Sequence, residues 1–401
     1  MSFYNRDEAS QDLPRRAFLL GLIQQGQPGH LVEEHLDELA ELARSAGVEV
    51  AGNAIQRRAT PHPATFVGRG KAEEAGQAAK ELGADLLLFD DDLSPSQVKN
   101  LEKIVELQVM DRSGLILEIF SQRARTREAR TQVELARLRY VLPRLTRMWK
   151  HLSRQGGGVG IRGGEGEKQI EADRRILRNQ IGRLEKQLKK IERTRSVQRR
   201  GRRGTLSVAL AGYTNAGKTT LFNRLTGAGE KAQNLLFATL DARLRKGALA
   251  PGRIAVFADT VGFIRKLPHH LVSSFRSTLE EATAADLVLH VIDRSHPIWE
   301  DQANVAEDVL AELGVEPERL MRVYNKADRL FAEGASWPAP VDNEGVWVSA
   351  LSGEGLDVLK EEILKRAELL GQPVPSAWPE PVVAPAEAVV EGLPGGSEEG
   401  R

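Results

Sequence analysis

The sequence predicts an α/β fold because short apolar runs alternate with helix-like runs in two separate parts of the chain. The first alternation covers residues 15–124 and the second covers residues 205–366. Hydrophobic residues make up 41% of the 401 residues, which is enough for real cores. We therefore expect two α/β units, each with strands that alternate with helices.

The first unit is predicted as an N-terminal α/β domain over residues 1–124. Helices are expected around Leu31–Leu42, from Lys71 and after Ser94. Its strand candidates are Ala17–Ile23, Val48–Ile55, Thr65–Val67 and Asp85–Phe89. The cluster Asp90-Asp91-Asp92 follows the last of these strands, where α/β folds place their sites, but an acidic turn with a helix N-cap is the favoured interpretation.

A basic helical hairpin is predicted over residues 125–203. Residues 121–154 carry ten Lys or Arg against two Glu, an excess that suits a polyanion. Apolar stripes at helical spacing flank a glycine-rich loop at residues 156–166, which should form a flexible tip between two helices. Six further arginines lie between Arg193 and Arg203.

The second alternation predicts a domain over residues 204–366 with a mostly parallel sheet. Its strand candidates are Leu206–Ala211, Ile254–Asp259, Leu287–Asp293, Met321–Asn325 and Val346–Ser349. The Pro- and Glu-rich residues 367–401 show no helical or strand period, which predicts a disordered tail.

A complete phosphate-binding loop of the form G-x-x-x-x-G-K-T lies between a predicted strand and a predicted helix. Its residues are Gly212, Tyr213, Thr214, Asn215, Ala216, Gly217, Lys218 and Thr219. The glycines let backbone N–H groups close around phosphates, the lysine reaches the β- and γ-phosphates, and the Thr219 hydroxyl can bind Mg²⁺. The loop therefore predicts nucleotide binding.

Two further segments are predicted to sense the γ-phosphate. The segment Asp259, Thr260, Val261 and Gly262 follows an apolar strand, so that Asp259 can hold Mg²⁺ through water and the Gly262 N–H can meet the γ-phosphate. The first switch is expected at Phe237, Ala238, Thr239, Leu240 and Asp241, with Thr239 completing the metal shell. The predicted metal ligands are Thr219, Thr239 and Asp259, and the predicted catalytic residues are Lys218, Thr239 and Gly262.

The predicted base is guanine. In the segment Asn325, Lys326, Ala327 and Asp328, the aspartate can accept both N–H groups of the guanine edge, which adenine does not offer. Ser349, Ala350 and Leu351 end the next strand and would supply a backbone N–H to the guanine carbonyl. These segments in this order predict a GTPase domain that converts GTP to GDP and phosphate with Mg²⁺.

Phe263 stands where many GTPases carry a glutamine that orients water. A phenyl ring cannot hydrogen-bond the attacking water, which predicts slow intrinsic hydrolysis. Asn215 occupies the place where certain GTPases hold a monovalent cation, and K⁺ there would supply positive charge. The alternative is that Asn215 only hydrogen-bonds the loop or the first switch.

Composition excludes cysteine-based sites and gives no sign of a membrane span. The chain has no cysteine, which excludes disulfides, thiolate zinc sites and cysteine nucleophiles. Lys plus Arg and Asp plus Glu both number 56, and no stretch approaches the ~18 apolar residues of a membrane span. Arg15-Arg16 resembles a twin-arginine signal, but no small-residue cleavage site follows Ile23. We expect a cytoplasmic protein without stable membrane insertion.

Four segments outside the nucleotide motifs resemble signatures of the HflX family of ribosome-associated GTPases. They are Pro63–Lys71, Phe89–Gln97, Asp111–Leu117 and Gln132–Ala136. The resemblance covers about residues 15–366. It implies a protein that binds the large (50S) ribosomal subunit and its rRNA, separates or rescues stalled ribosomes with GTP, and directs its hairpin toward the peptidyl-transferase region. The family usually has a proline after the glycine run, which the segment Arg162–Glu167 lacks.

Two other functions remain open at this point. A GTPase switch acting on a protein partner would use the same nucleotide motifs and leave the charge runs as solvated faces. An ATP-driven RNA-remodelling activity would need a second nucleotide site, for which Val67–Lys71 is the candidate contact in residues 1–124. Off the ribosome, we expect a monomer.

Overall fold

The computed structural model describes residues 16–145, 164–200, 204–229, 236–237, 239–266, 281–331, 337 and 345–374. Side chains of the helix over residues 164–200 are described for residues 171–194. Ala238, residues 156–163 of the predicted glycine-rich loop, and residues 375–401 of the predicted tail lie outside the described residues.

The N-terminal part is a parallel four-stranded sheet with strand order β2-β1-β3-β4. Its elements are β1 (Arg16–Ile23), α1 (Gly29–Ser45), β2 (Glu49–Arg57), α2 (Arg69–Glu81), β3 (Leu86–Phe89), α3 (Pro95–Val105), β4 (Gln108–Asp111) and α4 (Arg112–Arg123). Strand β1 is buried on both faces, because Leu19 belongs to one hydrophobic cluster while Phe18 and Leu20 belong to another. The sheet therefore has helices on both sides, as its continuous apolar run predicts.

Two sequence predictions for this sheet are wrong. Thr65–Val67 is not a strand: Phe66 has a φ of 66°, and it forms only an isolated bridge with His62. Strand β4 was not predicted, because its four residues are too short and too polar to show a clear period. Its partner β3 lies within one residue of its predicted bounds.

Two helices connect the sheets, α5 (Arg127–Val141) and α6 (Gly164–Arg200). An ion pair of 2.7 Å between Arg139 Nη2 and Glu185 Oε1 joins them. The predicted stripe of α6 is half-buried at Leu177, Ile181, Leu184, Leu188 and Ile191. One predicted bound needs correction, because residues 164–166 of the predicted loop belong to α6. Helix α5 ends before Pro143, which lacks the N–H needed to continue a helix.

The C-terminal part is a six-stranded sheet with strand order β10-β9-β8-β5-β7-β6, parallel except for β6. Its elements are β5 (Ser207–Ala211), α7 (Lys218–Thr226), β6 (Arg243–Ala250), β7 (Arg253–Asp259), β8 (Leu287–Asp293), α8 (Trp299–Glu312), β9 (Leu320–Asn325), β10 (Val346–Trp347) and α9 (Leu356–Leu369). All five predicted strands are present. The antiparallel edge strand β6 was not predicted, because half of its residues are charged or exposed.

Helix α9 corrects the predicted start of the tail. The helix continues to Leu369, and Ala367 is fully buried in the apolar cluster of this sheet. Packing against the sheet thus orders residues whose sequence shows no strong period. Among the described residues, no helix is both long and apolar enough to cross a membrane.

Candidate nucleotide site

The predicted phosphate-binding loop connects the end of β5 to the start of α7, as the motif requires. Gly212 has a φ of 144° and Gly217 a φ of 93°, values that a residue with a side chain rarely adopts. A Cβ on Gly212 would clash with the Val291 carbonyl of β8, and one on Gly217 would clash with the Asn325 side chain. The two glycines therefore let the loop lie directly against the neighbouring strand ends.

Lys218 is buried at the N-terminus of α7, and its ammonium group is turned back onto the loop. Its Nζ donates hydrogen bonds to the carbonyls of Gly212 at 3.1 Å and Tyr213 at 2.7 Å. Burial lowers the pKa of Lys218 to about 8, although the nearby Asp259 opposes this shift. The loop thus holds a desolvated cation at the place where phosphate charge is expected.

The three predicted metal ligands converge on one point. Thr219 Oγ1 donates to Asp259 Oδ2 at 2.8 Å, Thr239 Oγ1 donates to the same oxygen at 3.2 Å, and the two hydroxyl oxygens are 2.9 Å apart. Asp259 is fully buried, and its second oxygen, Oδ1, has no hydrogen-bond partner among the described residues. Burial raises the pKa of this carboxyl group, despite the donor from Thr219.

Gly262 and Phe263 lie directly on the phosphate-binding loop. The Phe263 N–H donates to the Gly212 carbonyl at 3.0 Å, and the Thr214 N–H donates to the Phe263 carbonyl at 2.7 Å. A Cβ built on Gly262 would lie 2.9 Å from Lys218 Nζ, so only glycine allows this approach. The Phe263 side chain is 1% exposed, so it is packed in the core rather than free to contact solvent.

The predicted base-recognition residues form one network at the ends of β9 and β10. Asn325 Nδ2 donates to the Ala216 carbonyl at 2.8 Å, and Asn325 Oδ1 accepts from the Ala350 N–H at 3.0 Å. The Ser349 hydroxyl donates to Asp328 Oδ1 at 2.6 Å, and Lys326 Nζ lies 2.6 Å from Asp293 Oδ2. The Ala350 N–H, a candidate donor to guanine, is engaged by Asn325 in this structure.

Other predicted site residues stabilise the loops of the site through hydrogen bonds to backbone carbonyls or through buried side chains. The Thr260 hydroxyl donates to the Leu210 carbonyl at 2.7 Å, and the Ala327 N–H donates to the Val348 carbonyl at 3.2 Å. The side chains of Ala216, Leu240 and Val261 are buried, whereas Asn215 is exposed with a φ of 62°.

Two residues of the predicted first switch face the N-terminal part instead of the metal ligands. The Phe237 ring packs edge-on against Phe120 of α4, with ring centroids 4.7 Å apart. The Asp241 carboxylate accepts a hydrogen bond from the Thr126 hydroxyl and another from the Arg125 N–H at 3.3 Å. Both side chains thus have partners at the domain boundary in this structure, and their role as nucleotide contacts stays a prediction.

Contacts between the two sheets could not be predicted from motifs. The Tyr213 hydroxyl of the phosphate-binding loop donates to Glu38 of α1 and accepts from the Arg265 N–H at 2.9 Å. Lys266 Nζ reaches Asp90 Oδ2 at 2.5 Å and Asp91 Oδ1 at 2.6 Å. The contacts of Tyr213 with Glu38 and of Lys266 with Asp90 and Asp91 join residues more than 170 positions apart in sequence. The acidic run after β3 was visible in the sequence, but nothing in the sequence indicated that Lys266 would be its basic partner.

Strand ends that carry a phosphate-binding loop, a buried aspartate with two hydroxyl donors, and an Asn-Lys-x-Asp segment define a P-loop GTPase. Three family models agree: residues 33–121 match the GTP-binding GTPase N-terminal model, residues 123–202 match the middle-region model, and residues 207–326 match the 50S ribosome-binding GTPase model. The chain belongs to the HflX family of GTPases and is a GTP-hydrolysing enzyme.

Whole-chain relatives support this assignment. The chain is 48% identical to GTPase HflX of Magnetococcus marinus over 88% of this chain and 82% of the relative. It is 46% identical to GTPase HflX of Escherichia coli K12 over 83% of this chain and 79% of the relative. Among solved structures, the chain also matches a GTP-binding protein from Sulfolobus solfataricus crystallised with GDP, at 23% identity, a TM-score of 0.44, and coverage of 88% of this chain and 99% of that chain.

Proposed function

We propose that this GTPase binds the large ribosomal subunit through rRNA and separates stalled ribosomes in a GTP-dependent manner. The observation that carries the proposal is the match of residues 207–326 to the 50S ribosome-binding GTPase model. The HflX relatives support it over most of the chain. We further propose that the protein acts in the cytoplasm and is a monomer off the ribosome.

The basic segment supports RNA as the contacted surface. Residues 121–154 carry ten Lys or Arg against two Glu, and six arginines follow between Arg193 and Arg203. Cations clustered in this way bind a phosphate backbone and release counterions. We propose functional boundaries at residues 124/125 and 203/204, which separate this basic hairpin from the N-terminal and GTPase domains.

At the nucleotide site, we propose roles that follow from the geometry. Lys218 contacts the β- and γ-phosphates, the Gly262 N–H contacts the γ-phosphate, and Asp328 reads the guanine edge. The residues fit Mg²⁺ because Thr219, Thr239 and Asp259 bring oxygen atoms together and Asp259 Oδ1 has no partner among the described residues. When bound, Mg²⁺ would neutralise charge that develops on the phosphates. Thr239 holds its hydroxyl at that point.

A monovalent cation is a further proposed feature of the same site. Asn215 lines a cavity of about 560 Å³ next to the phosphate-binding loop, together with the acidic residues Glu34, Asp37, Glu38 and Glu41 of α1. Arg44 and Arg265 also line this cavity, but the carboxylates outnumber them, which favours a cation beside Asn215. We expect faster GTP turnover in KCl than in NaCl at equal ionic strength, and Asn215→Ala should abolish the difference. Equal wild-type rates in the two salts would contradict this proposal.

Co-sedimentation with ribosomes tests the main proposal. The purified protein should pellet with 50S subunits most strongly in a non-hydrolysable GTP analogue, less in GDP and least without nucleotide. Light scattering of intact ribosomes should fall in the presence of protein and GTP if the subunits separate. Absence of pelleting in all three nucleotide states would overturn ribosome binding, and pelleting without a scattering change would overturn splitting.

Salt dependence tests the RNA contact. The triple variant Arg199→Gln, Arg200→Gln and Arg202→Gln should weaken ribosome binding and flatten its dependence on salt, because fewer phosphate contacts release fewer counterions. The matched control replaces three cations of α9, Lys360, Lys365 and Arg366, with glutamine. An equal loss in both variants, or an unchanged salt slope, would favour a protein partner over RNA.

A further inference from the structure

The hydroxyl of Thr214 is a buried polar group for which the described residues provide no partner. Thr214 occupies the third position of the phosphate-binding loop and is 6% exposed. Its Oγ1 makes no hydrogen bond among the described residues. Buried hydroxyls are normally paired, so an unpaired one at a nucleotide site indicates a partner that arrives with the ligand.

Three contacts locate this hydroxyl next to the reacting part of the nucleotide. The Thr214 N–H donates to the Phe263 carbonyl at 2.7 Å. A Cβ built on Gly262 would lie 2.9 Å from both Cα and Cγ2 of Thr214. Thr214 therefore touches the glycine proposed to bind the γ-phosphate, and it lines the same cavity as Asn215.

The residue that follows Gly262 carries no polar group that could act on water. Phe263 follows Gly262 and is 1% exposed, and its phenyl ring can neither accept nor donate a conventional hydrogen bond. A threonine hydroxyl can do both, since it has one donor and two lone pairs. Its methyl group packs near Gly262, which fixes the side chain without using the oxygen.

We propose that Thr214 is a catalytic residue whose hydroxyl accepts a hydrogen bond from the attacking water and orients it toward the γ-phosphate of GTP. The inference rests on the proposed γ-phosphate contact of Gly262. A bond forms between the water oxygen and the γ-phosphorus, and the bond from phosphorus to the β–γ bridging oxygen breaks. Its electron pair stays on GDP, and the protons of water pass to inorganic phosphate and solvent. Thr214 is unchanged at the end of the reaction.

Single-turnover hydrolysis of GTP by the full chain, with Mg²⁺ and without ribosomes, tests the role. Thr214→Val keeps the branched shape and removes only the hydroxyl, so the rate should fall by at least about tenfold. Thr214→Ser keeps the hydroxyl and should stay within about threefold of wild type. Affinity for a fluorescently labelled GTP analogue should change by less than about threefold in both variants, because the hydroxyl acts on water rather than on the bound phosphate.

The matched control is Thr226→Val at the end of α7, whose hydroxyl is paired with the Phe222 carbonyl at 2.7 Å and is outside the site. It should hydrolyse GTP like wild type. Wild-type rates in Thr214→Val would overturn the inference, and so would an equal loss of affinity and rate. If Thr214→Val does not fold, Thr214→Ser against Thr214→Ala makes the same comparison, and equal rates in that pair would overturn it. Failure of the wild type to bind the analogue would instead refute the proposed nucleotide site.

Discussion

The two sheets place carboxylates at equivalent positions, yet only one of them leaves a carboxylate open. In the N-terminal sheet, Asp90 follows β3 and Asp111 ends β4. In the C-terminal sheet, Asp259 ends β7. All three side chains are buried, and all three lie at the carboxyl ends of parallel strands, where α/β folds usually bind ligands.

In the N-terminal sheet, cations of the same chain neutralise these carboxylates. Arg112 Nη1 lies 2.6 Å from Asp90 Oδ1, and Lys266 lies 2.5 Å from the other oxygen of Asp90. Asp111 accepts from Tyr140 at 2.7 Å and pairs with Arg144 at 2.8 Å. Neither interpretation of the acidic run is therefore complete, because Ser94 caps the following helix while Asp90 joins the two parts of the chain.

Asp259 receives only hydroxyl donors on Oδ2, and its Oδ1 remains unpaired among the described residues. Lys218 and Arg243 favour its charged form from a distance, but neither forms an ion pair with it among the described residues. A buried carboxylate without a direct ion pair is costly, so its presence indicates a ligand that brings positive charge. The difference teaches that a strand-end acid marks a site when its charge is not balanced by the protein itself.

The largest expected effect comes from removing the open carboxylate. Asp259→Asn should reduce Mg²⁺-dependent GTP hydrolysis by at least about a hundredfold, because it removes the charge that the metal requires. Because the carboxylate is buried and forms no direct ion pair among the described residues, the free energy of unfolding should not fall. Single-turnover phosphate release and urea unfolding measure the two quantities.

The control for this variant is Asp308→Asn, an exposed carboxylate on α8. It should leave hydrolysis and stability unchanged. If Asp259→Asn destabilised the protein strongly and retained hydrolysis, Asp259 would be a structural acid like Asp90, and the comparison would fail.

The second largest effect is expected from removing a paired carboxylate of the N-terminal sheet, which should lower stability rather than hydrolysis. Asp90→Asn leaves the buried Arg112 without half of its charge partners and should lower the free energy of unfolding by about 3–5 kcal/mol. Urea unfolding at pH 7 measures this loss. The folded fraction of Asp90→Asn should keep its Mg²⁺-dependent hydrolysis, whereas Asp259→Asn should lose this activity. The exposed Glu81→Gln of α2 is the control, and a loss below about 1 kcal/mol in Asp90→Asn would contradict the paired-charge interpretation.

A third, smaller effect is a loss of stability in mild acid that depends on His35. Burial lowers the pKa of His35 to about 4, outweighing Asp90, which lies 3.8 Å away and favours the charged form; Lys266, Arg265 and Arg112 lower the pKa further. Between about pH 6.5 and pH 4 the unfolded chain takes up a proton that the folded chain refuses. Stability therefore falls as pH falls through this window.

From pH 7 to pH 5, the contribution of His35 to this loss should be about 2 kcal/mol. His35→Gln cannot be protonated and should show a correspondingly flatter profile in urea unfolding. Burial raises the pKa of Asp91, which acts in the opposite direction but is common to both proteins. Identical pH profiles in wild type and variant would exclude His35 as the source.

The same comparison explains what the sequence could and could not predict. The nucleotide site is carried by contiguous strings next to apolar strands, so the convergence of Thr219 and Asp259 followed from the fold class alone. Lys266 pairs with Asp90 across 176 positions, and no local pattern encodes such a contact. Phe237 shows the same limit, because only the packed structure reveals that it contacts Phe120.

The smallest expected effect concerns the glycine-containing segment of the N-terminal domain that was a candidate for a second phosphate contact. Its groups already have partners: the Gly68 N–H donates to Gln56 Oε1 at 2.8 Å, and Lys71 pairs with Glu74 at 2.7 Å on an exposed helix face. Lys71→Ala should therefore change the free energy of unfolding by less than about 0.5 kcal/mol.

Binding of a fluorescent ATP analogue, measured in a Lys218→Ala background that disables the GTPase site, should be the same with and without Lys71→Ala. Lys80→Ala, on the same helix as Lys71, removes an ion pair with Glu106 and is the matched control. A tenfold loss of ATP binding in Lys71→Ala alone would show that paired cations in this sheet can still exchange their partners for phosphate, and the distinction between the two sheets would then be one of degree.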